Sequence, residues 1–281
     1  MARSKAVDRA FLEERALFVR LETLRLTRIA GAGHYGGTFS AAELLATLYY
    51  HQLRIDPTVP RWADRDRFVL SKGHAAIGLY PILADLGFFD PVQLDTYTRL
   101  GSAFGDHPDM RKIPGIDFSS GSLGHGLSIG VGMALGARVQ GKDFRTYVMV
   151  GDAELAEGQI WEAVMAASHY QLGSLVCIVD RNQLGIDGPT EDIMTLEPIN
   201  DRFAAFGWDV QRIDGHDVGA IAAAFDRLDE MGRDAPHVII ANTLKGKGVR
   251  RMERQASWHV GNLNAEDYQA VVDELVKGSA S

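Results

Sequence analysis

The sequence has little cysteine, no long apolar run and no excess of basic residues. Its 281 residues include one cysteine, Cys177, so the chain cannot form an internal disulfide, and a reducing compartment is the simplest expectation. No apolar run approaches the ~20 residues of a membrane-spanning helix. The formal net charge of −8 argues against general nucleic-acid or anionic-membrane binding. We expect a soluble, cytoplasmic protein.

Several common motifs are also missing or misplaced. There is no Gly-x-x-x-x-Gly-Lys-Ser/Thr loop, which excludes a P-loop nucleotide hydrolase. The letters Gly-x-Gly-x-x-Gly at 31–36 match a dinucleotide fingerprint, but they follow a predicted helix and not a strand, so we reject that interpretation. Gly-x-Ser-x-Gly at 126–130 spells a serine-hydrolase elbow, yet no strand precedes it. None of the nine histidines has zinc-ligand spacing. Behind the basic segment 1–8 no apolar core follows, so a secretory signal is not expected.

What the sequence does contain is an alternation of apolar runs and helical spacings. These patterns predict helices over 7–30, 75–86, 157–170, 199–206, 218–230 and 265–277, one more ending near 139, and strands over 68–70, 147–150, 175–179, 208–213 and 237–243. Ser40 and Glu43 together predict a capping box at the start of a further helix. The alternation favours an α/β doubly wound fold, with a mainly parallel sheet and helices on both faces. We expect one domain over 1–281, with a flexible tail at 278–281.

Polar residues and glycines follow four of the predicted strands, in Ser71-Lys72-Gly73-His74, Gly151-Asp152-Ala153, Asp180-Arg181-Asn182 and Lys245-Gly246-Lys247. Ligands of an open parallel sheet bind outside the carboxyl ends of its strands. Glycines there let the backbone approach phosphate oxygens. Asp152 and Asn182 end the two strands of one βαβ unit, and such oxygen ligands favour magnesium beside a phosphate.

The histidines are distributed unevenly. Five lie in predicted loops or beside glycine or proline, namely His34, His74, His107, His125 and His259. Their number indicates a cleft that needs groups able to move protons near pH 7. His51, His169 and His237 lie within or beside regular elements, so we interpret them as structural. His216 either closes a turn or contacts a ligand. The long irregular stretch from 87 to 122 is expected to be either functional or disordered.

Together these segments resemble transketolases. The thiamine-diphosphate-binding motif of that family, Gly-Asp-Gly followed about thirty residues later by Asn, is similar to 151–153 and 180–182 here. Further similar segments occur in the same order at 32–37, 70–76, 106–108, 121–126 and 245–249. The resemblance extends from about residue 8 to 275. A full-length transketolase has a diphosphate-binding, an aminopyrimidine-binding and a C-terminal domain, and this chain resembles only the first.

The resemblance therefore implies the N-terminal subunit of a split transketolase. A second subunit would carry the pyrimidine-binding and C-terminal domains, including the glutamate that activates the aminopyrimidine ring, and the enzyme would be active only with it. A two-fold hetero-oligomer of paired subunits would follow the family. The implied reaction transfers a two-carbon ketol unit from a ketose or ketose phosphate to an aldose. No nucleic-acid or membrane partner is implied.

The resemblance also implies roles for single residues. Asp152, Asn182 and the main-chain carbonyl of Leu184 would bind Mg²⁺ or Ca²⁺, which bridges to thiamine diphosphate. His34, His107 and His259 would line the substrate channel as acid–base groups. The other implied cofactor contacts are His74, Gly121, Leu123, Gly151, Ala153, Glu157 and Lys245, with Lys72 as a weaker candidate.

Ala153 departs from the family pattern, because the last position of Gly-Asp-Gly is an alanine here. We expect its methyl group to crowd the phosphate. Glu157 resembles a glutamate at the subunit contact. Two alternatives stay open: the corresponding subunit of another thiamine-diphosphate enzyme, of the deoxyxylulose-phosphate synthase or 2-oxo acid dehydrogenase type, and a non-catalytic regulatory paralogue.

Overall fold

The computed structural model describes residues 7–232 and 234–278. Five strands form one parallel sheet in the order β1-β2-β3-β5-β4. The strands are β1 (Arg67–Leu70), β2 (Thr146–Gly151), β3 (Leu175–Arg181), β4 (Asp209–Asp214) and β5 (His237–Asn242). In the described part of the chain, every strand pair is parallel, so all five carboxyl ends lie at one edge.

Ten α-helical segments accompany the sheet in the described residues. They are α1 (Arg9–Ala30), α2 (Gly36–Ser40), α3 (Ala42–Thr47), α4 (Ala76–Asp85), α5 (His125–Val139), α6 (Gly158–His169), α7 (Thr190–Ile193), α8 (Ile199–Ala205), α9 (Val218–Glu230) and α10 (Ala265–Gly278). Most bounds lie within two residues of the predicted ones. The short helices α2 and α7 were not predicted.

Both faces of the sheet are buried. Alternate residues of a strand point to opposite faces, and in β3 Val176 and Ile178 pack against α1, α3, α4 and α9. Their neighbours Cys177 and Val179 pack on the other face against α5, α6 and α8. This arrangement confirms the predicted doubly wound α/β fold.

Helix α5 lies unusually close to the sheet. A Cβ atom at Gly126 would lie 2.3 Å from Ser71 Oγ, and one at Gly130 would lie 2.4 Å from Val148 Cγ2. The glycines of the Gly-x-Ser-x-Gly stretch therefore permit helix–sheet packing. Ser128 lies within the helix and accepts a hydrogen bond from Gln159 Nε2 at 3.1 Å, so no nucleophile elbow is formed.

The predicted capping box at Ser40 is wrong. The preceding segment is already helical, and the next helix begins at Ala42. Ser40 Oγ donates to Asp180 Oδ2 at 2.6 Å. The Glu43 carboxylate accepts from Arg20 Nη1 and Nη2 at 2.7 and 2.8 Å. Both side chains thus have long-range partners in place of the local cap.

The described chain ends with a helix, and it contains one long segment with little regular structure. Gly278 ends α10, and residues 1–6 and 279–281 lie outside the described residues, as does most of the tail that was expected to be flexible. The segment 87–122 is irregular apart from one 3₁₀ turn, yet Tyr97 and Phe104 are buried in the core. No helix in the described part is both long and apolar enough to cross a membrane.

Glu43 also fixes the loop after β5. Backbone N–H of Leu244 donates to His216 Nε2 at 2.8 Å, so the ring proton lies on Nδ1, which donates to Glu43 Oε2 at 3.0 Å. His216 thus closes a turn. Burial tends to raise the pKa of Glu43, but the charge of Arg20 and the hydrogen bonds of Arg20 and His216 outweigh it and lower the pKa to about 2.

We predict a specific acid lability from this carboxylate. Because the folded pKa lies below its ordinary value of 4.5, Glu43 stabilises the fold above that pH, and the contribution is lost as the pH falls towards 2. The free energy of unfolding should fall by about 3 kcal/mol over this window, as measured by urea denaturation. Glu43→Gln should be less stable at neutral pH and show a shallower acid decline.

Glu266, an exposed acid in α10, provides the control. Glu266→Gln should keep the wild-type slope between pH 4.5 and 2. An acid decline that is equally steep in Glu43→Gln would contradict the assignment.

Candidate active site

A cavity of about 230 Å³ lies at the carboxyl edge of the sheet. Residues singled out from the sequence make up most of its lining: His34, Lys72, His74, His107, Gly121, Leu123, Gly151, Asp152, Ala153, Asn182, Leu184, Lys245 and His259. Gly37, Glu154, Gly185 and Ile186 complete it. Of the predicted site residues, only Glu157 is absent from the lining; it is exposed at the N-terminus of α6. The roles assigned to these residues stay predictions.

A buried carboxylate, Asp180, joins the segments that form the cavity. Its side chain is inaccessible to solvent and accepts hydrogen bonds from Lys72 Nζ at 2.5 Å, Ser40 Oγ at 2.6 Å, Asn182 Nδ2 at 3.3 Å and Thr243 Oγ1. Burial favours the neutral acid, but the Lys72 charge and these hydrogen bonds outweigh it and lower the pKa of Asp180. Asp180 is therefore an ionised centre that positions Asn182.

A second buried carboxylate, Glu154, joins the ends of β1 and β2 to the start of α5. Oε1 accepts from Gly124 N at 2.8 Å and from Ser71 Oγ, and Oε2 accepts from Gly151 N at 3.0 Å. Burial raises the pKa of Glu154 against the effect of these donors. Neither Glu154 nor Asp180 was singled out from the sequence, because an acid after a strand is usually an exposed turn residue. Their role in joining distant segments becomes evident only from their hydrogen-bond partners in the structure.

The carboxylate of Asp152 is fixed from three sides. Oδ1 accepts from Ala153 N at 2.8 Å, and Oδ2 accepts from Gln183 N at 2.5 Å and from Arg181 Nη1 at 3.0 Å. Burial and the charge of Asp180 raise the pKa of Asp152 against these donors. Since a carboxylate has about four lone-pair sites, the two oxygens keep capacity for a cation.

Two main-chain carbonyls of the cavity accept hydrogen bonds from a lysine ammonium group. Lys245 Nζ donates to Leu184 O at 3.0 Å and to Gly185 O at 2.8 Å, and it lies 3.0 Å from His259 Nδ1. Burial and a second lysine nearby lower the pKa of Lys245 to about 8. An ammonium group thus occupies a place where oxygen atoms converge.

The donor set fits a hard divalent cation with a phosphate. The Asp152 carboxylate, the Asn182 amide oxygen and the Leu184 carbonyl are oxygen ligands, which Mg²⁺ and Ca²⁺ prefer. The cavity wall also includes Gly37, which has no side chain. A Cβ atom there would lie 3.2 Å from both His74 Nε2 and Lys72 Nζ. The missing side chain leaves both nitrogens within reach of a ligand in the cavity.

The remaining wall is a cluster of imidazoles, formed by His34, His74, His107 and His259. The ring centroid of His34 lies 5.2 Å from that of His74, 5.3 Å from His259 and 6.4 Å from His107. Burial, with the nearby charges, lowers the pKa of His74 far below its ordinary value and that of His259 to about 3. Both rings are therefore neutral at physiological pH, so each can donate from one nitrogen and accept at the other.

The other histidines lie outside this cluster. His125 is exposed at the start of α5. His51 Nε2 lies 3.1 Å from Asp226 Oδ1, His169 ends α6, and His237 is buried in β5. These positions agree with structural roles for the last three.

A family model identifies the class of domain to which this fold and this cavity belong. Residues 14–276 match the family model described as "Transketolase, thiamine diphosphate binding domain". The chain therefore belongs to the transketolase family, which confirms the resemblance found in its sequence.

Relatives of similar length are named as transketolase subunits. One is a subunit of the apulose-4-phosphate transketolase of Phocaeicola vulgatus, 45% identical over 246 residues that cover 88% of this chain and 87% of that protein. Another is the 6-deoxy-6-sulfo-D-fructose transketolase subunit SqwG of a Clostridium species, 43% identical over 269 residues that cover 96% and 98%. The transketolase of Homo sapiens is 37% identical over 265 residues, which are 94% of this chain and 42% of the human protein.

Solved transketolase structures show the same relation. The Campylobacter jejuni enzyme superposes with a TM-score of 0.88 at 30% identity, over 96% of this chain and 43% of the other. The R525L mutant of the Pichia stipitis enzyme gives 0.87 at 31%, over 96% and 40%. This chain thus spans about two fifths of each solved transketolase.

We predict that the buried Lys72–Asp180 pair is essential to stability. Lys72→Met would leave the Asp180 carboxylate buried without its cation, and the loss of one partner of such a pair costs about 3–5 kcal/mol. Urea denaturation at pH 7 measures the loss. Lys112 is exposed, so Lys112→Met should change the free energy of unfolding by less than about 0.5 kcal/mol. A cost below about 1 kcal/mol for Lys72→Met would show that Asp180 does not depend on this lysine.

Proposed function

We propose that this chain is the diphosphate-binding subunit of a two-subunit transketolase. The enzyme transfers a two-carbon ketol unit from a ketose or ketose-phosphate donor to an aldose acceptor. The observation that carries the proposal is the extent of similarity: the chain matches nearly the whole of relatives named transketolase subunits, but less than half of the human transketolase.

The cavity supports the need for a partner. Its volume of about 230 Å³ is below the ~300–1,000 Å³ of most small-molecule sites. Exposed apolar side chains lie beside it: Leu123 and Ile186 line the cavity, Ile193 Cδ1 lies 3.1 Å from the Cβ position of Gly185, and Met194, 57% exposed, lines a smaller pocket that shares Ala153 with the cavity. We call Leu123, Ile186, Ile193 and Met194 the apolar rim. Such a patch beside a cavity is typical of a protein-binding surface.

The partner proposed for this rim is a second transketolase subunit with the pyrimidine-binding and C-terminal domains, in a two-fold hetero-oligomer. Glu157, exposed beside Gly124, would lie at that contact. We also propose that residues 1–281 form one domain and that the enzyme acts in the cytoplasm.

The proposed cofactor is thiamine diphosphate with Mg²⁺ or Ca²⁺. Asp152, Asn182 and the Leu184 carbonyl would hold the metal. When bound, thiamine diphosphate supplies the carbanion chemistry by which a ketol unit is transferred. The other proposed cofactor contacts are His74, Gly121, Leu123, Gly151, Ala153, Glu157 and Lys245. Ala153 is exposed at the cavity wall, and the crowding of a phosphate by its methyl group stays a prediction.

The channel histidines His34, His107 and His259 would move protons to and from the sugar hydroxyls. Lys245 donates to His259 Nδ1, so the proton of this neutral ring lies on Nε2, which can donate to a substrate oxygen. The relatives' names favour transketolase over another thiamine-diphosphate enzyme. Asp152, Asn182 and the clustered histidines argue against a non-catalytic paralogue.

We predict that tight cofactor binding requires both subunits. Calorimetry with thiamine diphosphate and Mg²⁺ should give weak or no binding to this chain alone and tight binding to its mixture with the proposed second subunit. The physical reason is the incomplete wall of the cavity. Turnover of ketose and aldose by the isolated chain would refute the two-subunit proposal.

Substitutions in and away from the apolar rim test whether this surface binds the second subunit. Met194→Glu should weaken association of the two subunits, because it introduces a charge into a desolvated contact. Val139 is 86% exposed at the far end of α5, about 20 Å along the helix axis from its first residue. Val139→Glu should therefore leave association unchanged.

We further predict that Asp152→Ala abolishes metal-dependent cofactor binding to the mixed subunits, because it removes the one charged oxygen donor of the proposed metal set. Calorimetry at increasing Mg²⁺ concentration measures the effect. Asp187, exposed in the adjacent loop, is the matched control, and Asp187→Ala should bind as the wild type does. Unchanged affinity in Asp152→Ala would show the metal assignment to be wrong.

A further inference from the structure

A carboxylate outside the cavity contacts the imidazole cluster from behind. Asp106 Oδ1 lies 3.1 Å from His34 Nδ1 and accepts a hydrogen bond from the Tyr97 hydroxyl at 3.3 Å. Its Oδ2 lies 3.7 Å from His107 Nδ1. Asp106 does not line the cavity, whereas both histidines do. It therefore reaches a ligand only through them.

We propose that Asp106 is a positioning residue that fixes the tautomer of His34, so that Nε2 of this ring is a hydrogen-bond acceptor in the cavity. The proposal rests on the proposed transketolase function for its catalytic meaning. Its structural content, which nitrogen carries the proton, is independent of that function.

The tautomer follows from the chemistry of the contact. An ionised carboxylate only accepts hydrogen bonds, and a neutral imidazole carries one N–H. The 3.1 Å contact therefore places the proton of His34 on Nδ1, with the lone pair on Nε2. Burial favours the neutral acid at Asp106, but the hydrogen bond and charge of His34 outweigh it and lower the pKa, so the carboxylate is ionised at neutral pH.

The carboxylate is itself held by the buried aromatic layer beneath the loop. Tyr97 is inaccessible to solvent, and its ring centroid lies 6.2 Å from that of Tyr80 in α4. The Tyr80 hydroxyl donates to the carbonyl of Gly105 at 2.9 Å, one residue before Asp106. The backbone of His34 is also fixed, because Thr38 Oγ1 donates to its carbonyl at 2.7 Å. Both partners of the contact are thus anchored.

The two imidazoles His34 and His259 differ in which ring nitrogen carries the proton. His259 receives a hydrogen bond at Nδ1 from Lys245 and so carries its proton on Nε2, whereas His34 carries its proton on Nδ1. The two rings lie 5.3 Å apart with opposite tautomers. His34 can then accept a proton from a sugar hydroxyl, while the neutral ring of His259 can donate a hydrogen bond to a sugar oxygen.

Nitrogen-15 NMR of the chain labelled at histidine tests the tautomer directly. Long-range proton–nitrogen spectra, with the His34 signals assigned by His34→Gln, should show Nδ1 protonated and Nε2 unprotonated in the wild type at pH 7.5. In Asp106→Asn the amide can donate to Nδ1, so the Nε2–H form should appear. Finding the wild-type ring as the Nε2–H form overturns the proposal, and that result does not depend on the folding of Asp106→Asn.

Two further variants separate positioning from general loop structure. Asp109 lies in the same loop and is hydrogen-bonded to Arg111, so Asp109→Asn should keep the wild-type tautomer. Tyr97→Phe removes only the 3.3 Å hydrogen bond to the carboxylate. Since the Tyr80 hydroxyl still holds the Gly105 carbonyl, this variant should also keep the wild-type tautomer. A wild-type tautomer in Asp106→Asn, or its loss in Asp109→Asn, would overturn the assignment to Asp106.

Kinetics of the mixed subunits then test the catalytic meaning. Asp106→Asn should lower kcat by about 10²-fold or more and leave KM within about threefold, because the wrong tautomer impairs proton transfer more than binding. An unchanged kcat with a switched tautomer overturns the catalytic meaning. Absence of turnover in the wild type, with the expected NMR tautomer, would instead refute the transketolase proposal and leave the positioning role intact.

Discussion

The structure depends above all on the hydrogen bonds that one buried carboxylate, that of Asp180, accepts. Asp180 ends the central strand, and its carboxylate accepts hydrogen bonds from Lys72 after β1, Ser40 of α2 and Thr243 after β5. A carboxylate without such partners would be costly to bury. Three segments far apart in sequence must therefore meet at this point, and Asn182, which directly follows the strand, donates a hydrogen bond to the same carboxylate.

The cavity contains two kinds of polar group, which Lys245 joins through its contacts with the carbonyls of Leu184 and Gly185 and with His259. The first kind is the oxygen atoms of Asp152 and of the carbonyls of Leu184 and Gly185, where an ammonium group is already held. The second kind is the imidazoles, of which burial, together with nearby positive charge, keeps His74 and His259 neutral. A lysine next to an imidazole suppresses protonation of that ring, so the same residues that favour an anionic ligand also keep these two histidines neutral, each with one nitrogen that donates and one that accepts a hydrogen bond.

The fold could be predicted well from the sequence because the local spacing of apolar residues determines where the helices and strands lie. The helix Val218–Glu230 has its predicted bounds, and the strand ends converge as the parallel topology requires. The failures share a physical cause, since Ser40, Glu154 and Asp180 all have partners far away in sequence. Ser40 followed by Glu43 satisfies a local capping pattern, but burial beside Asp180 and Arg20 offers stronger electrostatic partners. No local pattern reveals such pairs.

The fold and the cavity differ in how complete they are. The sheet is covered on both faces by helices of this chain, so its core does not need a partner. The cavity, in contrast, is small and bordered by exposed apolar side chains, of which Ile186 is 65% exposed. In the proposed two-subunit enzyme, a chain with a complete core and an incomplete site would be stable alone and would depend on its partner for catalysis. Folding and ligand binding would then draw on different surfaces.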